Sequence, residues 1–186
     1  MRVQTVKNIE KDFLEPSFRY LVKNGLENTS VRDLCKELGV SYGSLYYWFE
    51  GKEDIFTSVV NYGIGKVADS MFKMVFERLD NTDLFFKTFV DEIDMHLPEF
   101  KLVYQFATSP DYGAVVRKKS EDFNVAYELY INQISQRLSI PAEKVAPVIY
   151  LLISILSDYI VWEDRKSTDM QMQFLHNMVK SYVVTA

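Results

Sequence analysis

Between Thr29 and Ser41 the sequence starts a helix, stops it and starts another. Thr29 and Ser30 offer hydroxyls to the free amides of a helix N-terminus. Val31, Leu34, Cys35 and Leu38 then recur on one helical face, and Gly39 supplies the stop. Ser41 caps a second short helix expected over residues 42–49. Two helices of this length cannot bury their apolar stripes alone, so they must pack on each other and on a third. Val31, Leu34 and Cys35 from one and Val40, Leu45 and Phe49 from the other supply the contacts. Such a helix-turn-helix is a unit whose second helix can enter the DNA major groove.

The rest of the chain carries the same punctuation. Only seven Gly and five Pro in 186 residues leave few strand-turn signals, so an all-α fold is expected. A first helix is predicted over 7–24, with Phe13, Leu14, Phe18, Leu21 and Val22 at helical spacing and Gly25 as its stop. Pro16 either kinks it or opens its regular part. A long fourth helix is predicted from Lys52 to about Leu79, with Gly63 and Gly65 kinking it or admitting a close neighbour. Further helices are expected from a Thr82 cap to Pro98, over 99–107, over 113–138, from Pro141 to Glu163, and from Ser167 or Thr168 onward.

Composition narrows the function classes. The balance of 21 Lys plus Arg against 26 Asp plus Glu, net −5, excludes a uniformly basic nucleic-acid coat. The imbalance is uneven: residues 1–52 hold eight basic and seven acidic groups, while residues 53–186 hold 13 against 19. A single cysteine, Cys35, allows no intrachain disulfide and gives a Cys-based zinc site no ligand set, which fits a reducing cytoplasm. The N-terminus lacks the apolar stretch and cleavage site of a signal peptide. The apolar run 145–162 is interrupted by Pro147, Ser154, Ser157 and Asp158, so it is expected to be a helix buried on several sides rather than a membrane span.

On the helix-turn-helix, the residues left facing outward are Ser41, Tyr42, Ser44, Tyr46 and Tyr47. Hydroxyls and helix-terminal amides suit phosphate and base-edge contacts. Gly43 lets the backbone approach closely. Lys52, at the start of the next helix, places an ammonium where free amides also point. With Thr29 and Ser30 at the first cap, these nine residues form the expected DNA-binding set.

The stretch TSVRDLCKELGVSYGSLYYWFEGKEDI, Thr29 to Ile55, closely resembles the DNA-binding domain of TetR-family transcriptional regulators. Gly39, Val40, Ser41, Gly43, Leu45, Tyr46, Phe49, Lys52, Glu53 and Ile55 fall on that family's pattern. Tyr42, Tyr47 and Trp48 depart from it, as does Pro16. The resemblance implies an N-terminal three-helix DNA-binding domain, drawn here as 1–52, and a helical regulatory domain, 53–186, that senses a ligand and dimerises. It also implies repression of transcription, relieved when an effector favours a dimer with wrongly spaced recognition helices, the fourth helix carrying the signal.

Two expectations about the second domain come from the residues. Apolar side chains surround most of 145–162, so a partner subunit is the simplest cover. Phe174, Leu175, Met178, Val179 and Tyr182 on the last helix are expected to complete a four-helix homodimer interface, and a two-fold dimer predicts a palindromic operator. The aromatic excess, 13 Phe and 12 Tyr, suggests a cavity for a largely apolar or aromatic effector. Its expected lining is Phe89, Ile93, His96, Tyr104, Phe106, Tyr127, Tyr130, Tyr159 and Trp162, with Asp94 and Asp158 available to a cationic ligand. Two distant His, no paired Cys and no HExxH, P-loop or dinucleotide fingerprint leave no enzymatic reading and imply no cofactor. The rival expectation is a helical interaction protein that keeps the helix-turn-helix but binds a protein partner.

Overall fold

The computed structural model describes residues 8–118 and 120–184. Lys7, the expected start of the first helix, and the side chain of Phe123 lie outside the described residues. Every regular element among the described residues is helical.

A π-helical turn, Glu10–Leu14, runs directly into α1, Glu15–Asn24, with Pro16 in its first turn. Proline has no N–H and crowds the carbonyl four residues back. A wider turn ahead of it relieves both problems without breaking the axis. Helix α2 is Val31–Leu38. Its cap is Ser30, whose side chain accepts from the Asp33 amide while the Asp33 side chain accepts from the Ser30 amide. That bonding to Ser30 holds the Asp33 carboxyl below its usual range. Gly39 closes α2 in the left-handed conformation, φ 64°, a position that a side chain would strain. Thr29 is not the cap: it is buried, and its hydroxyl donates to the Gly25 carbonyl.

Helix α3 is shorter than the eight residues expected. It covers only Tyr42–Leu45, capped by Ser41. The amides of Trp48 and Phe49 then both point at the Leu45 carbonyl, at 2.8 and 2.9 Å, so the chain tightens into a turn. Leu45, fully buried, and Phe49 are the anchors of this segment, and the Phe49 ring meets that of Phe13 at 5.6 Å.

Helix α4, Lys52–Arg78, is followed by α5, Thr82–Met95, and α6, Leu97–Thr108. The cap of α5 is Asn81 rather than Thr82, since the Asn81 side chain accepts from the Leu84 amide. Helices α7, Gly113–Lys118, and α8, Ser120–Leu138, lie on either side of residue 119. Helix α9 is Ala142–Trp162 and α10 is Arg165–Val184. The last helix starts earlier than expected because Asp164 accepts from the Ser167 amide and supplies the cap itself.

The chain forms two compact units. The first comprises Met1–Asp69 and Pro98–Lys118, the second Ser70–Leu97 and Lys119–Ala186. The first therefore contains more than the helix-turn-helix: α6 and α7 return to it, and Leu102, Phe106 and Tyr112 belong to its core with Phe13, Leu34, Leu45 and Phe56. Tyr112 stacks on Phe106 at 4.9 Å and meets Phe56 at 5.9 Å. Gly63, on α4, faces the ring of Phe18 on α1 so closely that a Cβ there would overlap it, whereas Gly65 meets nothing within 4 Å.

The second unit packs α5 against α10 and α8 against α9. Leu79, Ile131, Ile134, Ile140 and Val145 make one core cluster. A polar junction pins α5 to the α9–α10 corner. The Arg165 guanidinium bridges Asp91, Asp94 and Asp169, and the Tyr159 hydroxyl donates to Asp94 at 2.5 Å. That bond to Asp94 is the main reason the Tyr159 phenol is pushed up to about 12. Asp94 is thus committed inside the unit and is not a free carboxylate for a cationic ligand. Helix α9 also differs from expectation. It is long and apolar enough, by length and composition, to cross a membrane, its 18-residue window having a mean hydropathy of 1.9, and only 28% of that window is buried.

Candidate nucleic-acid interface

The recognition segment is held from below by apolar anchors and from its ends by caps, which leaves one face free. Tyr42 is 48% exposed, Tyr46 42%, Trp48 43% and Tyr47 83%. The rings of Tyr42 and Tyr46 lie 5.1 Å apart with a 36° tilt, and the Tyr46 hydroxyl donates to that of Tyr42 at 3.3 Å. This bond is the main reason the Tyr46 phenol is raised above its ordinary value. Tyr47 and Trp48 meet edge to face at 5.6 Å. Such large aromatics beside water are unusual on a solvated surface, and each pair is in ring contact, so they do not behave as four independent side chains.

Of the nine residues expected to meet DNA, the structure brings Tyr42, Gly43, Tyr46 and Tyr47 together as the exposed face. A Cβ on Gly43 would meet nothing within 4 Å, so its backbone is open to close approach. Ser41 and Ser44 are half-buried, and the Ser41 hydroxyl is committed to the Ser44 amide at 3.0 Å. Ser30 is exposed, but its side chain serves the α2 cap. Thr29 sits in the interior at 7% exposure. Lys52 is exposed at the first turn of α4, its ammonium 5.9 Å over the Phe56 ring. Glu53 and Asp54 share that turn, and Asp54 accepts from the Glu50 amide.

Two further cations outside the expected set are exposed nearby in the sequence. Arg32 and Lys36 are exposed on α2, the helix preceding the recognition segment, and in this motif that helix crosses the phosphate backbone. Their signal in the sequence is position: both fall on the polar side of a stripe whose apolar members are Val31, Leu34, Cys35 and Leu38.

The residues expected around an effector are dispersed. Tyr104 and Phe106 lie in the first unit, Phe106 within its core and Tyr104 exposed. In the second unit Phe89 and Ile93 are buried on α5, and His96 caps its C-terminus. Tyr127 is half-buried on α8, and Tyr130 stacks on Phe72. Tyr159 is engaged by Asp94, while Trp162 is 73% exposed. None of the nine lines the apolar cavity that the second unit does contain. That cavity, about 90 Å³ in volume and open to solvent on one side, lies among the ends of α4, α5, α8, α9 and α10. Phe85, Phe86, Ile134, Leu152 and Val179 form part of its wall, with Lys144 and Tyr182 also lining it.

The five residues expected at a dimer interface divide by exposure. Leu175 and Val179 are buried in the unit, Met178 and Tyr182 are half-buried, and Phe174 is 70% exposed. With Leu151, Ile155, Met170 and Leu175, Phe174 lines an open apolar groove along α9 and α10.

The sequence profile described as bacterial regulatory proteins, tetR family, matches residues 14–59, the segment that builds this interface. A curated Bacillus subtilis (strain 168) protein, the uncharacterized HTH-type transcriptional regulator YuxN, is 33% identical over 57 residues. The match takes in 31% of this chain and about a fifth of that relative's length. Across nearly the whole chain the fold is similar to the crystal structure of a transcriptional regulator of the TerR/AcrR family from Aquifex aeolicus VF5. Its TM-score is 0.56 at 18% identity, covering 93% of this chain and 98% of the other. A recognition segment that matches the tetR family profile over residues 14–59 thus precedes a helical architecture similar to that of the Aquifex aeolicus regulator.

Proposed function

We propose that this protein is a ligand-responsive repressor that binds a palindromic DNA operator as a homodimer. The observation that carries the reading is the recognition segment: its backbone is fixed by caps at Ser30 and Ser41 and by buried Leu45, while its outward face exposes Tyr42, Tyr46 and Tyr47. Exposed Arg32, Lys36 and Lys52 supply cations around that face for phosphate contact. Selection of bound fragments from a genomic DNA pool at moderate salt tests it. A palindromic consensus with half-sites about one DNA turn apart, or a multiple of it, is the expected result; absence of any enriched sequence from folded protein defeats it. Within that experiment, Lys52→Ala is expected to weaken operator binding and to reduce the slope of log affinity against log salt by about one. An unchanged slope would mean that Lys52 meets no phosphate.

The effector reading rests on the cavity of the second unit. Its walls are almost wholly apolar, and the cationic side chains along it are Arg78 and Lys144. Arg78 is already paired with Glu92 and bonded to Thr88. The cavity thus suits an apolar molecule with neutral or anionic character better than a cation. N-phenyl-1-naphthylamine, a neutral apolar fluorophore, is expected to bind there and brighten. Val148→Phe, which fills the cavity from α9, is expected to abolish that signal while leaving operator binding within about twofold. Undiminished fluorescence in the variant would place the probe elsewhere.

The homodimer reading rests on the groove around Phe174 and on the largely uncovered apolar side of α9. A second copy of the chain, presenting the same two helices across a two-fold axis, covers both at once. Such a regulator acts where the DNA is, in the cytoplasm.

A further inference from the structure

The recognition segment lacks the side chains on which most base reading depends. Residues 39–49 contain no Arg, Lys, Asn, Gln, Asp or Glu. Bidentate recognition of guanine uses Arg or Lys, that of adenine uses Asn or Gln, and cytosine is read by a carboxylate. None of these is available to the segment. What it carries instead is hydroxyl groups on apolar rings.

The first residues of a recognition helix are the ones that reach base edges, and here the first is Tyr42. Its ring is half out in solvent and braced by Tyr46. Its hydroxyl oxygen accepts the Tyr46 proton, which leaves the Tyr42 proton free to be donated outward. Tyr42 therefore offers a hydrogen-bond donor on the rim of a rigid apolar plate. In the major groove one base matches that pair of properties. Thymine sets the O4 acceptor beside the C5 methyl group, whereas cytosine shows a donor and no methyl, and guanine shows acceptors alone. Gly43, with open space where a side chain would be, removes the bulk that would hold the plate away from the base edge.

We propose that Tyr42 determines operator specificity by seating a thymine methyl against its ring, so that the half-site is defined by methyl groups on A·T pairs. The proposal rests on the DNA-binding reading above and adds to it the chemistry that is read.

Deoxyuridine removes the C5 methyl and preserves every hydrogen-bonding group, which makes it the discriminating probe. With the full-length protein and its selected operator, each half-site thymine is replaced in turn by deoxyuridine and affinity is measured by fluorescence anisotropy. At one thymine position per half-site the wild type is expected to lose about fourfold, the worth of one buried methyl-sized group. Tyr42→Ala is expected to bind more weakly and no longer to distinguish thymine from deoxyuridine at that position. Tyr42→Phe is expected to keep the discrimination, because the ring remains. Tyr42 is 48% exposed and is not a member of the core cluster of its unit, so both variants should melt close to the wild type, which circular dichroism checks. An operator whose thymines can all be exchanged without loss overturns the proposal and leaves the regulator intact. Discrimination that persists in Tyr42→Ala assigns the methyl contact to another residue and overturns it equally. Failure to recover any operator overturns the regulator reading, and this proposal with it.

Discussion

Gly63→Ala is expected to lower the thermal midpoint by about 2–8 °C, although alanine is the better helix former. The helix propensity gain is up to about 1 kcal/mol. Against it stands overpacking: the new Cβ would fall on the ring of Phe18, which is itself 8% exposed and has core neighbours on α1. Forced repacking of that kind costs about 1–3 kcal/mol and occasionally more. The net loss is about 1–2 kcal/mol, and for a chain of this length each kcal/mol moves the midpoint by about 2–4 °C. The cause is identified by the partner. Combined with Phe18→Leu, which withdraws the ring edge, Gly63→Ala should cost much less than it does alone, a coupling of residues in contact. Additive losses in the double variant would show that the contact is not the source.

The second large effect concerns assembly. If the proposed homodimer forms through this groove, Phe174→Glu should yield monomers in sedimentation velocity and reduce operator affinity by about 10²–10⁴-fold, because the second half-site contact ceases to be intramolecular. Phe174 is 70% exposed on α10, so a carboxylate there meets water in the lone chain and is desolvated only when a second copy covers the groove that it lines with Leu151 and Met170. The helical circular dichroism of the monomer should remain close to that of the wild type. A variant that stays dimeric would move the interface off this groove.

The parts of the molecule legible in sequence are those whose determinants are neighbours in sequence. Ser30 and Asp33 are three residues apart, and Gly39 closes the helix they open, so α2 and its turn could be read directly. The same holds for the aromatic face at Tyr42, Tyr46 and Tyr47. The length of α3 was not legible, because an aromatic run such as Tyr46 to Phe49 has helical spacing whether it continues the helix or turns on the Leu45 carbonyl. Gly63 was readable as a position of close approach, but its partner, 45 residues upstream, was not. Periodicity finds the buried face of a helix and is silent about what it packs on. Thus Phe106 read as an effector contact and lies in the core of the first unit, and Tyr159 read as an open aromatic wall and is bound to Asp94.

The return of α6 and α7 to the first unit bears on how such a regulator can be recombined. Leu102, Phe106 and Tyr112 complete a core whose other members lie before residue 70. A fragment ending at residue 69 would leave Phe56 without Tyr112 and the core without Leu102 and Phe106, and one ending at residue 52 would lose Phe56 as well. The reading head is consequently not a cassette that one cut releases. A chimaera that transplants it must carry two separated stretches of chain, and three covalent crossings, at 69–70, 97–98 and 118–119, stitch it to the rest. New operator preferences in this architecture are therefore reached more readily by substitution on the exposed face of Tyr42, Tyr46 and Tyr47 than by exchange of whole modules.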